Sequence, residues 1–212
     1  MSSEFLKFAA ALFAILNPIG NTAIFLSVTS ERSTAERQKI ALTTSLAVLI
    51  TLLVTAVVGQ KILDLFGISV GSFRVAGGII ILLLALSMLH ARPSGVHHSP
   101  AEEADGREKD NPAVFPLAIP VIAGPGAMAT VIVYVQHAHG IGGGIRIGAV
   151  IVFMSGVILL VLRAANRLSS LLGPTGMNVL TRLMGMVLAA IAVEMIAGGL
   201  GQLFPQLHPT GA

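Results

Sequence analysis

Of the 212 residues, 54% are hydrophobic and 11% charged, with a formal net charge of +3; an average soluble domain carries roughly 25% charged residues. These figures exclude a disordered chain and speak against an ordinary soluble enzyme, while the absence of cysteine excludes a disulfide scaffold, a thiol nucleophile and a cysteine-ligated metal. The pI of 9.8 rests on only 13 Lys and Arg, so these cations bear on membrane orientation, and no nucleic acid is expected as a partner.

Six stretches are long and apolar enough to cross a bilayer, which takes roughly 20 residues per helix. In chain order they are Leu6–Thr29, Ile40–Gly59, Ile68–Leu89, Ala113–Gln136, Gly143–Leu162 and Leu183–Phe204. None alternates with period two, so the expected fold is an all-α integral membrane domain and not a barrel. The apolar run of the first stretch resumes after Gly20, which makes it an uncleaved span rather than a signal peptide. Ala91–Asn111 is hydrophilic, with Pro93, Gly95, Pro100 and ten charged or histidine neighbours. It is expected to be a flexible linker, and His97-His98 within it are read as solvated loop residues.

With six spans, the termini share a side with Lys7, Lys61, Arg74 and Arg146, and the other nine of the 13 Lys and Arg lie opposite. Basic residues favour the cytoplasmic side. The linker is therefore expected in the cytoplasm and both termini outside it.

The two halves resemble each other. Pro18 and Pro125 stand 107 positions apart, and so do Ile40, where the second span starts, and Ile147, near the start of the fifth. Arg74-Val75-Ala76-Gly77 recurs as Arg182-Leu183-Met184-Gly185. A unit of three spans is odd, so its second copy enters the membrane inverted, the plan of many secondary transporters. The division is a single membrane domain with repeats over residues 5–90 and 113–204, joined by the linker over 91–112.

Spans one and four are interrupted at their midpoints by Asn17-Pro18-Ile19-Gly20-Asn21 and Ala123-Gly124-Pro125-Gly126-Ala127. Proline removes a donor and clashes with the preceding turn, and glycine weakens the helix further. Asn is a preferred N-cap and Pro a preferred first helical residue, so each break should start a new half-helix at Pro18 and Pro125. Such a start offers free N–H groups and a partial positive charge to an anion, and the preceding half ends in free carbonyls suited to a cation. The candidate site is small and zwitterion-shaped: Asn17, Pro18, Gly20 and Asn21 with Thr22 from one break, Gly124, Pro125 and Gly126 with Thr130 from the other.

Glu194 is the only acid well inside a span and is the candidate for coupling; Arg74 and Arg182 are candidates for gating, with headgroup anchoring as the alternative. Gly67-x-x-x-Gly71 and Gly144-x-x-x-Gly148 match a helix-packing motif. No His-Glu-x-x-His, Gly-x-Ser-x-Gly or Walker A segment occurs, so no enzyme, metal site or cofactor is expected beyond a coupling proton or sodium ion.

Four pieces taken in order resemble the MarC family of bacterial and archaeal inner-membrane proteins: Asn17 to Asn21, Phe73-Arg74-Val75-Ala76-Gly77-Gly78, Pro120-x-x-Ala123-Gly124-Pro125-Gly126-Ala127, and Thr181-Arg182-Leu183-Met184-Gly185 running to Glu194. The likeness covers about Phe5 to Phe204. It implies six helices in two inverted three-helix repeats, and its SnatA-type members are transporters of small neutral amino acids, chiefly glycine and alanine. In them the two interrupted segments line the substrate site, here Asn17, Pro18, Gly20 and Asn21 with Gly124, Pro125 and Gly126. The expectation is thus an alternating-access transporter of a small zwitterion in the inner membrane. A carrier of a metal ion or another small solute, and a membrane scaffold that transports nothing, are the rival readings.

Overall fold

The computed structural model describes residues 3–29, 31–90, 113–138 and 140–207. The linker, with His97 and His98, falls outside them. The described elements are all helical: α1 (Ser3–Leu16), α2 (Asn21–Val28), α3 (Thr34–Leu65), α4 (Val70–Leu89), a π-helix π1 (Ala113–Ile122), α5 (Pro125–His137), α6 (Gly140–Arg163), α7 (Ala165–Leu203) and a short 3-10 turn (Pro205–Leu207).

Four helices, α3, α4, α6 and the Thr175–Leu203 part of α7, are long and apolar enough to cross a membrane. The first and fourth predicted spans are each divided in two, α1 from α2 and π1 from α5. The long helices expose apolar stripes, such as Leu46, Ile50, Val54 and Val57 on α3 and Ile145, Val152, Phe153 and Leu160 on α6. Contiguous patches of this kind are rare on soluble monomers, whereas acyl chains solvate them. The divided helices carry much of the interior: Phe8 and Leu12 of α1, Phe25 of α2 and Leu117 of π1 are buried. Irregular backbone at membrane depth is tolerated only inside protein or beside water, so the breaks lie where the physics allows them.

Helix ends differ from the expected bounds for local reasons. The second span was expected from Ile40, but α3 begins at Thr34 because Ser33 and Glu36 form a capping box. Glu36 N donates to Ser33 Oγ at 3.4 Å and Ser33 N donates to a Glu36 carboxylate oxygen at 2.8 Å. Two helical donors are thereby satisfied, and the helix continues beyond its apolar zone. At its other end, Gly67 takes φ 66, Gly67 N donates to Asp64 O at 3.1 Å and Ile68 N to Leu63 O at 2.9 Å, which is the Schellman arrangement. Gly67 is thus a helix cap, and only Gly71 of that motif packs on a helix. The sixth span was expected from Leu183, but α7 runs back to Ala165 and passes a break at Gly173, φ 62. The first half of span four is π- rather than α-helical. Pro116 and Pro120 cannot donate to the ladder, and the wider turn closes through Ala123 N donating to Ala118 O at 2.8 Å, five residues back.

α4 packs tightly along α7. A methyl group placed on Gly78 would lie 3.0 Å from Ala192 O, one on Gly199 would lie 2.8 Å from Gly71 O, and one on Gly185 would lie 3.1 Å from Ala85 O. The pair is therefore antiparallel, with small residues every seven positions on each helix, at 71, 78 and 85 and at 185, 192 and 199. Such seams let backbones approach in the absence of a hydrophobic drive between helices. Gly144 and Gly148 meet nothing within 4 Å and pack no helix among the described residues. α3 runs against α6, with Gln38 Nε2 donating to Arg163 O at 3.4 Å, and Thr44 Oγ1 donates to Ala113 O of π1 at 3.0 Å. α3 also packs on α5, α6 on α1 and α2, α4 on α5, α7 on α2, α1 on α5 and α2 on π1.

Candidate functional site

At the first break, Asn17 holds the rare left-handed conformation, φ 41. Its carbonyl accepts from Asn21 N at 3.1 Å, and its Oδ1 accepts from Gly20 N at 3.2 Å. Asn17 therefore caps the new half-helix with Pro18 next, as the residue types dictate, although α2 becomes regular only at Asn21. Between them lies a looser turn, with Thr22 N donating to Ile19 O at 3.1 Å. A side chain at Gly20 would overlap the Asn17 amide, so glycine is required for that cap. Asn21 is buried, and its Nδ2 donates to Leu16 O at 2.8 Å, covering one carbonyl at the end of α1. Because residue 18 is proline, Ala14 O has lost the donor that a continuous helix would supply.

The second break repeats this plan with one omission. Gly124 is the N-cap of α5, Pro125 stands in its first turn and no side chain caps it. The first bond is Met128 N to Gly124 O, 3.1 Å, 107 positions after its counterpart. Helix geometry leaves the N–H groups of Gly126 and Ala127 without an acceptor in their own helix. Gly124 and Gly126 are buried and Pro125 is exposed. A methyl group on Gly126 would lie 2.7 Å from Ile81 Cγ1 and 3.9 Å from Ile15 Cγ2. Gly126, in the first turn of α5, thus lies near Ile15, next to the last residue of α1.

Thr22 and Thr130 lie one turn beyond the breaks, and both bond their own helix, Thr22 Oγ1 to Ile19 O at 2.6 Å and Thr130 Oγ1 to Gly126 O at 2.9 Å. Thr130 Oγ1 also lies 3.8 Å from Met195 Sδ. It lines a cavity of about 430 Å³ with Arg74, Glu194, Met195, Tyr134, Glu4, Lys7 and His137 among others. That volume is in the range of small-molecule sites. Phe8 stacks on Tyr134, centroids 4.7 Å apart, fixing α1 against α5 along one wall. Arg74 is half-buried, and its Nε is buried without a hydrogen-bond partner. Arg182, its counterpart in the second half, is exposed and lines no part of this cavity.

The structure therefore brings Thr130, Arg74 and Glu194 to one cavity, and sets Asn17, Pro18, Gly20, Asn21 and Thr22 of the first break and Gly124, Pro125 and Gly126 of the second outside its lining. Glu4, Lys7, Tyr134 and His137 were missed from the sequence. Each reads there as an end-of-span residue, and only the docking of α1 on α5 and α7 gives them a common space. Among the described residues no group of His, Asp or Glu could hold a metal ion.

These features define a multi-pass, all-helical membrane protein with two interrupted helices in its interior and a charged cavity beside the second break. It belongs to the MarC family: the family described as MarC family integral membrane protein matches residues 2–204. Similar proteins include the UPF0056 membrane protein YvbG of Bacillus subtilis, 42% identical over 203 residues (93% of this chain and 94% of that one). YhcE of Escherichia coli is 37% identical over 203 residues (96% and 94%), and a UPF0056 membrane protein of the archaeon Methanocaldococcus jannaschii is 37% identical over 191 (90% and 93%). No solved structure matches the chain with significance.

Proposed function

We propose that the protein is a secondary transporter of small neutral amino acids of the glycine and alanine type, working by alternating access in the inner membrane. The observation that carries this reading is the meeting of the two helix breaks, with Gly126 of α5 against Ile15 of α1. The substrate carboxylate takes the N–H groups of Gly126 and Ala127. The ammonium takes the carbonyl end of α1, where Pro18 has freed Ala14 O, with Asn17 Oδ1 beside it. Closely packed Ile81 and Ile15 restrict the site to a small side chain.

The packing supports six spans in two inverted repeats. Exchanging the halves turns α3 on π1 into α6 on α1, α4 on α5 into α7 on α2, and α1 on α5 into π1 on α2; each pair is present. The pairs that map onto themselves, α4 with α7 and α3 with α6, run antiparallel, as inversion requires. The termini are placed outside the cytoplasm by the distribution of basic residues, so the cavity beside α1 faces outward. Glu194 is the proposed proton carrier, and rocking of one repeat on the other moves the site between faces.

The test is uptake of labelled glycine, alanine and leucine into proteoliposomes. Wild type takes up glycine and alanine but not leucine, and Gly126→Val abolishes uptake while inserting normally. Since valine there also collides with Ile81, the double variant Gly126→Val/Ile81→Ala is measured alongside: it relieves the collision yet still blocks the amide end. Glycine uptake by either variant at the wild-type rate overturns the reading.

A further inference from the structure

We propose that the cavity holds a second zwitterion site, separate from the helix breaks, in which Arg74 takes the carboxylate and Glu194 the ammonium. The inference rests on the transport reading and adds a first stop on the outer side of the breaks. Arg74 Nε is buried and has no acceptor. A buried donor of a charged group left without a partner is costly, and the low dielectric around it strengthens whatever anion it meets. Neither Glu4 nor Glu194, which share the cavity, bonds that atom, so Arg74 lines the cavity with no acidic partner on its Nε.

The lining also selects the ligand's class. Lys7 and Arg74 are balanced by Glu4 and Glu194, two cations against two anions. A lining of both signs and no net charge rejects a bare anion or cation and accepts a molecule carrying both. Arg74 is fixed in place: a methyl group on Gly198 would lie 2.5 to 2.9 Å from three guanidinium atoms, so the guanidinium lies directly on the bare backbone of α7. Planar, fork-like donors held this way suit a carboxylate. Met195 and Thr130 close the inner end, and one turn below Thr130 lies Gly126 of the second break. A ligand released inward by Arg74 thus meets Thr130 before the amide end of α5.

The experiment is equilibrium binding of labelled glycine to the purified full chain in nanodiscs, with acetate and methylamine as competitors that each carry one charge. Wild type binds two glycines per chain, and Gly126→Val and Arg74→Gln each bind one. The site left in Gly126→Val is weakened at least about tenfold by Glu194→Gln, as loss of a charged hydrogen bond predicts. Neither competitor displaces glycine from it at equal concentration. Gly198→Ala, which keeps the Arg74 charge but moves the guanidinium, weakens the same site; this covers the case in which Arg74→Gln fails to fold. One glycine in wild type, lost in Gly126→Val and kept in Arg74→Gln, overturns this proposal and leaves the helix-break site standing. One glycine lost in Arg74→Gln and kept in Gly126→Val supports it and overturns the helix-break site. No binding of glycine or alanine overturns both.

Discussion

The seam between α4 and α7 makes a quantitative demand on a single methyl group. At Gly78 an added Cβ meets Ala192 O at 3.0 Å, Ile196 N at 3.2 Å and Ile196 Cγ1 at 2.7 Å. The Ile196 side chain can turn aside, but the two backbone atoms cannot, so Gly78→Ala must separate the helices by a few tenths of an ångström. The opening propagates to the layers at Gly71 with Gly199 and Ala85 with Gly185, where dispersion contacts of about 0.1–0.2 kcal/mol each are lost in part. Overpacking of this kind costs about 1–3 kcal/mol. Gly144→Ala is the internal contrast, because nothing lies within 4 Å of its added methyl; replacing a mid-helix glycine there stabilises by roughly 0.5–1 kcal/mol. Denaturant titration of the purified protein in mixed micelles, followed by circular dichroism, should place Gly78→Ala below wild type and Gly144→Ala level with it or above. Equal stabilities of the two variants would refute the seam.

Three other perturbations probe separate parts of the molecule. Arg37 Nε donates to Thr29 O at 2.9 Å and its Nη1 to Asn166 Oδ1 at 3.3 Å, tying α2 and α7 together on the face opposite the cavity. Arg37→Ala should raise thiol labelling of Thr22→Cys about tenfold, the equivalent of one charge-assisted hydrogen bond; unchanged labelling would show that Arg37 holds nothing shut. In the same cysteine-free background, Thr130→Cys should label faster than Thr22→Cys, since only Thr130 lines the cavity, and the reverse order would contradict the open face. Ser33→Ala removes the capping box of α3 and should speed amide exchange of residues 38–41 about fivefold, the worth of a ~1 kcal/mol cap; unaltered exchange would show that the cap does not hold the helix end.

What could be read from the sequence divides along the range of the interactions. The breaks were legible because they are local: proline, asparagine and glycine act on their own neighbours, and Asn17 caps Gly20 N whatever surrounds it. The start of α3 is also local, but attention to hydropathy hid it; Ser33 with Glu36 three residues later was the available signal. The π-helix had a signal too, in prolines four residues apart at 116 and 120. The small-residue motifs misled because spacing does not say what a glycine faces. Gly67 turns the chain, Gly144 and Gly148 face outward, and the residues that make the seam, Gly78 and Gly199 among them, are set by the register of two helices about a hundred residues apart. The cavity was illegible for the same reason, since Glu4, Lys7, Tyr134 and His137 meet Arg74 and Glu194 only through docking.

The two halves match in their bonds and differ in their surroundings, and that difference bears on function. Asn21 N to Asn17 O has its twin in Met128 N to Gly124 O, and Thr22 and Thr130, one position out of register, each bond back along their own chain to Ile19 O and Gly126 O. Yet beyond Thr130 the chain opens into a cavity past Tyr134 and His137. Beyond Thr22 the corresponding stretch is shut, with Thr22 and Thr29 at 0% exposure and Phe25 at 2%, and Arg37 bonds across its end. The transport proposal accounts for equivalent elements held in unequal states. A transporter built from inverted repeats requires it: one face is open while its counterpart is closed, and exchanging the two conformations between the halves gives the opposite state. On that proposal, Arg74 in the cavity and Arg182 exposed outside it are equivalent positions of the two repeats in different conformations. Closure of the open face should then give Arg74 the exposed surroundings that Arg182 has now, which distance measurements between spin labels on α4 and α5 can follow; a spacing that stays fixed under saturating glycine and in its absence would count against the exchange.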